Sequence, residues 1–161
     1  MDMEPLRTEA AAAFHALDVP QDLTLEGLRE LLEEDRGKSI VVKPVKGLGA
    51  NQVSGLWFSL PETDLILHAD TVSPLHREQI ILHEFAHMVL GHERLMEDAH
   101  HLASLLPDLN PSMVSRCLAR CQRQTAPEIV AESLADLFAD ALARARRAGR
   151  GEPLNFRGIF G

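Results

Sequence analysis

A chain of 161 residues, of which 45% are hydrophobic and 25% charged, can bury one core but is too short for two full domains, so residues 1–161 are read as one domain. The formal net charge of −8 argues against direct nucleic-acid binding, because binders of a phosphate backbone usually carry a basic surplus. There is no signal-like N-terminal segment and no apolar run long enough to cross a membrane, which predicts a cytoplasmic protein.

Two helices are predicted within residues 5–36. An alanine-rich helical pattern covers residues 5–17, and Asp22 or Thr24 can cap a second, amphipathic helix that ends near Gly37. The pattern then changes to short β-rich segments separated by turn-forming residues. These segments predict a small three-stranded antiparallel sheet, with strands at residues 39–45, 53–60 and 64–68.

The next element is a helix over residues 73–91. Ser73 followed by Pro74 is a strong helix start, and Gly91 can end the helix. Apolar residues lie nearly all the way round its axis, which predicts that it is buried.

The C-terminal part predicts further helices over residues 93–148 and an apolar tail at residues 149–161. Cys117 and Cys121 lie four residues apart in one of these helices, a spacing that suits a disulfide poorly, so we interpret them as buried small side chains. The tail can dock on the domain or on a partner. The whole pattern predicts an α+β domain that is mainly helical.

The buried helix contains the motif His-Glu-x-x-His at His83, Glu84 and His87. Residues four apart lie one turn above each other, so both imidazoles can bind one ion. Glu84 lies about 100° round the axis, where it can hold a water but cannot ligate beside both histidines. In a zinc hydrolase of this kind, two nitrogens fix the metal and a carboxylate takes a proton from the attacking water.

The alternative is that both histidines are hydrogen-bonded core residues and that Glu84 lies on a solvated edge. On so apolar a helix, each unsatisfied polar group would cost roughly 1–3 kcal/mol. A bound cation removes that cost, which favours the metal interpretation.

A zinc site of this kind needs a third protein ligand. The metzincin continuation fails because position 93 is a glutamate rather than a histidine. His92 is a second candidate, but it lies about 140° round from His87 and past the predicted helix end. The third source is a glutamate from a later helix.

The last helix carries a line of acidic residues spaced four apart: Glu128, Glu132, Asp136 and Asp140. We interpret Glu128 and Asp140 as a solvated acidic face. Glu132 is favoured as the ligand because small residues, Ala135 and Ala139, flank it and allow a close approach of the two helices. Asp136 could then accept the remaining N–H of a ligating histidine, which is the glutamate-zincin arrangement.

These two motifs together resemble the ImmA/IrrE family of zinc metallopeptidases. The first runs from His83 to His92 (His-Glu-Phe-Ala-His-Met-Val-Leu-Gly-His) and the second from Glu132 to Ala139 (Glu-Ser-Leu-Ala-Asp-Leu-Phe-Ala). The resemblance covers roughly residues 25–145. It departs from the family at Leu134, where many members carry an acidic residue, and in lacking the Met-Pro that often follows the second motif.

The resemblance implies a zincin-like, gluzincin-type fold with the small sheet packed on the motif helix. It also implies one Zn²⁺ held by His83, His87 and Glu132, with Glu84 as general base and Asp136 supporting a ligand. The implied activity is an endopeptidase that cleaves a helix-turn-helix (XRE-type) transcriptional repressor or antitoxin encoded nearby.

Two alternatives to a peptidase remain open: a zinc-binding regulatory or toxin–antitoxin module that sequesters such a regulator without proteolysis, and a structural domain without metal. The intact Glu84 favours the enzyme, because a structural zinc site needs no base.

A peptidase also needs groups that stabilise the oxyanion and groups that bind the substrate backbone. The chain has no tyrosine, so the oxyanion donor must be a histidine, an arginine or the backbone, and His92, His100 and His101 are candidates. Strand Asp64–His68 is predicted as an edge that could hold an extended substrate by strand addition.

Overall fold

The computed structural model describes residues 3–46, 55–70, 73–92 and 126–149. In chain order these residues form α1 (Glu4–Leu17), α2 (Leu25–Arg36), β1 (Ser39–Val45), β2 (Gly55–Ser59), β3 (Thr63–Ala69), α3 (Pro74–Leu90) and α4 (Ala126–Gly149). The predicted α+β class with a helical majority is confirmed over this part of the chain. None of these helices combines the length and apolarity needed to cross a membrane.

Local capping fixes the ends of the N-terminal helices. α1 stops where Asp18 adopts a left-handed conformation with φ of 52°. Of the two caps predicted for α2, Thr24 provides it: its hydroxyl oxygen accepts a hydrogen bond from the Gly27 N–H at 2.9 Å. Gly37, with φ of 67°, ends α2 as predicted.

The sheet is mixed rather than antiparallel, which corrects the predicted meander. β3 lies at its centre, with β2 antiparallel to it on one side and β1 parallel to it on the other. A tight turn joins β2 to β3, with the Leu60 N–H bonded to the Thr63 carbonyl oxygen at 2.9 Å.

This strand order also overturns the prediction that Asp64–His68 is an edge. Both sides of β3 are paired, and six of its seven residues, from Asp64 to Ala69, are buried. Strand addition at β3 is therefore blocked. The strands at the edges of the described sheet are β1 and β2.

Helix α3 lies between the sheet and α4. It contacts β2 and β3 on one side and α4 on the other, while α1 packs along α4. Leu82 and Phe85 of α3 join Leu134 and Phe138 of α4 in one buried core. The predicted packing of the sheet on the motif helix is confirmed, and it fixes this helix from two sides.

Several predictions fall outside the described residues. They concern the helices expected within residues 93–125, which include His100, His101, Cys117 and Cys121, and the tail beyond Gly149.

Candidate metal centre

The motif helix begins and ends as its sequence predicts. Ser73 caps it by accepting the His76 N–H at 3.2 Å, and Pro74 is its first residue. Gly91 ends it with φ of 73°. Residues 80–88 are buried apart from His83, which is partly exposed, so the histidines and Glu84 sit on a helix enclosed by core.

His83 and His87 turn the same ring nitrogen towards each other. Their Nε2 atoms are 3.2 Å apart, and the ring centroids are separated by 4.8 Å with the planes nearly perpendicular. The His83 side chain keeps 27% of its surface exposed, whereas His87 keeps only 8%. The predicted pairing of the two imidazoles one turn apart is confirmed.

The carboxylate that meets both rings belongs to Glu128, in the first turn of α4. Its Oε1 lies 3.4 Å from His83 Nε2, and its Oε2 lies 2.9 Å from His87 Nε2. One ligand atom from each of the three residues falls within 4.8 Å of the others, so the group could hold a metal ion. Two imidazole nitrogens and a carboxylate oxygen suit several divalent metals and leave a fourth position open.

Glu128 is not part of a solvated acidic face, and that interpretation was wrong. The structure brings Glu128 to the histidines and leaves Glu132, one turn later, exposed. Asp136 is also exposed. For Asp140 the solvated interpretation fits, since its carboxylate is 58% exposed and pairs with Arg144 at 3.0 Å.

No local pattern in the sequence singles out Glu128 over Glu132. Small buried residues accompany both: Ala131 lies three residues after Glu128, and Ala135 lies three residues after Glu132. The four-residue spacing of the acidic side chains predicts which face of α4 meets the histidines, but not which turn of that face reaches them. Which turn does so depends on where α4 begins relative to α3.

Glu84 is buried, with 6% of its surface exposed, and lies against the start of β2. A Cβ atom built on Gly55 would be 3.0 Å from Glu84 Oε2. The charge of Glu84 also acts on the His83 ring. Its carboxylate therefore lies against the first residue of β2 and near enough to His83 for its charge to act on that ring.

Charge interactions at the centre shift two pKa values in opposite directions. Burial acts to lower the pKa of His83, but a hydrogen bond to Glu128 and the charges of Glu84, Glu128 and Glu132 outweigh it, so the net shift is upward. Burial acts to raise the pKa of Glu128, but its contacts with His83 and His87 lower it well below the usual range. Excess negative charge around the rings favours a cation there.

The second ring nitrogen of His87 meets His92. The two Nδ1 atoms are 3.0 Å apart, and the ring centroids are separated by 5.2 Å. The sequence predicted Asp136 in this supporting position and His92 as an oxyanion donor. In the described part of the chain the side chain at His87 Nδ1 is that of His92.

A buried ion pair fixes the C-terminal end of the same helix. Asp64 of β3 is completely buried and accepts hydrogen bonds from Arg36 Nε at 2.6 Å and from Trp57 Nε1 at 2.9 Å. Arg36 also donates from Nη1 to the carbonyl oxygen of Met88 at 3.3 Å. This contact links α2 and the sheet to the residue directly after His87.

Comparison of the chain with protein-family models, with curated proteins and with solved structures gave no significant match.

Proposed function

We propose that the protein is a zinc endopeptidase whose metal is held by His83, His87 and Glu128. The observation that carries the proposal is the convergence of these three donors beside Glu84, the next residue after the first histidine. Three protein ligands with an open fourth position are typical of catalytic zinc sites, whereas structural sites are closed by four. When bound, zinc lowers the pKa of water and polarises a carbonyl group.

Glu84 is the general base in this proposal. It takes a proton from the attacking water and passes it to the leaving amine. Its burial beside β2 excludes bulk water, which strengthens its interactions with charged groups. His87, the more buried of the two histidines, holds the second nitrogen ligand in a fixed orientation.

In this proposal the substrate reaches the general base beside Gly55, the half-buried first residue of β2. The other four residues of β2 are buried, so the strand itself is not open to an added peptide. Among the described residues β2 pairs with β3 alone, and its first residue, Gly55, is the one that lies against Glu84.

The resemblance of the two helix motifs to the ImmA/IrrE family supports a helix-turn-helix repressor or antitoxin-type regulator as the substrate, and it also supports a zincin-like fold. The formal net charge of the chain, −8, is compatible with a protein partner that carries a basic DNA-binding surface.

The test combines metal analysis with cleavage of a purified helix-turn-helix regulator encoded beside the chain. Wild type is expected to hold one zinc per chain and to cut the regulator, and Glu84→Gln to keep the zinc and lose cleavage. Equal cleavage by both proteins would refute the role of Glu84. Zinc retention and regulator binding without cleavage by wild type would instead support a sequestering module.

A further inference from the structure

We propose that His92 is a positioning residue that fixes the orientation and the tautomer of the metal ligand His87. The inference rests on the proposed metal centre but not on proteolysis. It assigns His92 to the far side of the His87 ring, away from the reacting atoms.

The contact between the two rings defines which nitrogen of His87 can bind a cation. His87 Nε2 lies 3.2 Å from His83 Nε2 and 2.9 Å from Glu128, so this nitrogen belongs to the metal centre. His87 Nδ1 points the other way, 3.0 Å from His92 Nδ1. A neutral imidazole carries one N–H, and a nitrogen that binds metal cannot keep it.

The proton of a metal-binding His87 must therefore sit on Nδ1. At 3.0 Å from another Nδ1, this N–H can donate only if the His92 nitrogen accepts, which requires the His92 proton to be on Nε2. The pair is then complementary: His87 donates and His92 accepts. Such a contact holds the ligand ring in one orientation and one tautomer, as carboxylates do for many metal-binding histidines.

The backbone at the end of α3 is built to deliver His92 to this point. The Gly91 N–H bonds to the Met88 carbonyl oxygen at 3.2 Å, and the His92 N–H bonds to the His87 carbonyl oxygen at 3.0 Å. Together with the left-handed φ of 73° at Gly91, these bonds form a Schellman motif. In this motif the residue after the glycine commonly contacts the side chain five positions earlier.

Many helices carry a hydrophobic residue at the position after the glycine. Here that residue is His92, and its ring contacts the ring of His87. The main chain and the ring of His92 thus both contact the same residue, His87. The sequence His87-x-x-x-Gly91-His92 accordingly combines a ligand, the turn that ends its helix, and the group that orients it.

The experiment measures the zinc affinity of the full chain by competition with a chromophoric chelator. His92→Phe keeps a planar ring but has no acceptor, and it is expected to bind zinc about 10–100-fold more weakly than wild type. His92→Asn places an amide oxygen on Cγ where Nδ1 stands in histidine, and it is expected to restore affinity close to wild type. His76→Phe, an exposed site on the same helix, is the matched control and should leave affinity unchanged.

A second measurement keeps the inference testable if His92→Phe folds poorly. Nitrogen NMR of the imidazoles in zinc-loaded wild type should show the His87 proton on Nδ1 and the His92 proton on Nε2. The inference is overturned by a His92→Phe affinity equal to that of the control, by a His92→Asn affinity as weak as that of His92→Phe, or by the opposite tautomer of His92. If the zinc affinities and tautomers are as expected but wild type does not cleave the regulator, only the peptidase proposal is refuted. If wild type binds no zinc, the peptidase proposal and the role of His92 are both refuted.

Discussion

Gly55 lies directly against Glu84. A Cβ atom at position 55 would stand 3.0 Å from Glu84 Oε2 and 2.6 Å from Ile80 Cγ2, the second being a separation that Cβ atoms essentially never show. The start of β2 and the proposed general base thus approach each other as closely as a glycine permits. Any side chain at the start of β2 would have to displace Ile80, the carboxylate of Glu84, or the strand itself.

Gly55→Ala is therefore expected to reduce cleavage while leaving zinc in place. Displacing a catalytic group by about 1 Å can cost on the order of 100-fold in rate, and overpacking a core usually costs about 1–3 kcal/mol of stability. Steady-state kinetics should show the loss mainly in kcat, with zinc content unchanged. Gly149→Ala, where the new Cβ would meet nothing within 4 Å, is the control.

The double variant Gly55→Ala with Ile80→Ala separates the two contacts. It removes the closer clash and keeps the one with Glu84, so stability should recover more than kcat does. Complete recovery of kcat would show that the Ile80 contact alone was responsible.

Glu128→Gln and Glu132→Gln should differ sharply in zinc affinity. Glu128 contacts both Nε2 atoms, while Glu132 is exposed and acts on His83 only through its charge. We expect Glu128→Gln to weaken zinc binding by more than the roughly 10–100-fold typical of a supporting residue. Glu132→Gln should have a small effect that fades in high salt. A larger loss in Glu132→Gln, measured by the same chelator competition, would restore the ligand set that the family resemblance implies.

The contrast between these glutamates illustrates how far the sequence could predict the site. The His83 and His87 pair follows from the periodicity of a single helix, and so do the helix ends at Ser73 and Gly91. Glu128 lies on a different helix, and its distance from the histidines depends on the position of α4 along α3. Packing of buried residues such as Ala131 sets that position, and no local pattern encodes it.

The sheet shows the same limit at the level of strands. The β-rich segments were located correctly because alternation and turn residues are local signals. The order β1-β3-β2 was missed because the pairing partner of β1 is chosen by tertiary contacts. One such contact is the buried Asp64, which ties β3 to Arg36 at the end of α2, directly before β1.

Asp64→Asn is expected to destabilise the protein by about 3–5 kcal/mol, because it removes the buried carboxylate charge that pairs with the Arg36 guanidinium. The Arg36 side chain is only 14% exposed and Asp64 is fully buried. Urea unfolding of the metal-free protein would measure the loss. Asp140→Asn breaks an exposed pair with Arg144 and should change stability little, which makes it the matched control. Equal effects of the two variants would contradict a structural role for Asp64.

The contact between His83 and Glu128 should make the stability of the metal-free protein depend on pH in a defined window. Glu128 has a lowered pKa in the folded state, so its contribution is fully present above its ordinary value of 4.5 and is lost as pH falls through the lowered pKa. His83 has a raised pKa, so its contribution is fully present below its ordinary value of 6.5 and is lost as pH rises through the raised pKa.

Both contributions are therefore complete between pH 4.5 and 6.5. Urea unfolding of metal-free wild type and Glu128→Gln across pH should show the largest stability difference in that window and a shrinking difference above it. Zinc affinity should follow the opposite trend and rise as pH increases through the His83 pKa, since the metal binds only the neutral ring. A stability difference that grows above pH 6.5 would show that the contact does not depend on a protonated His83.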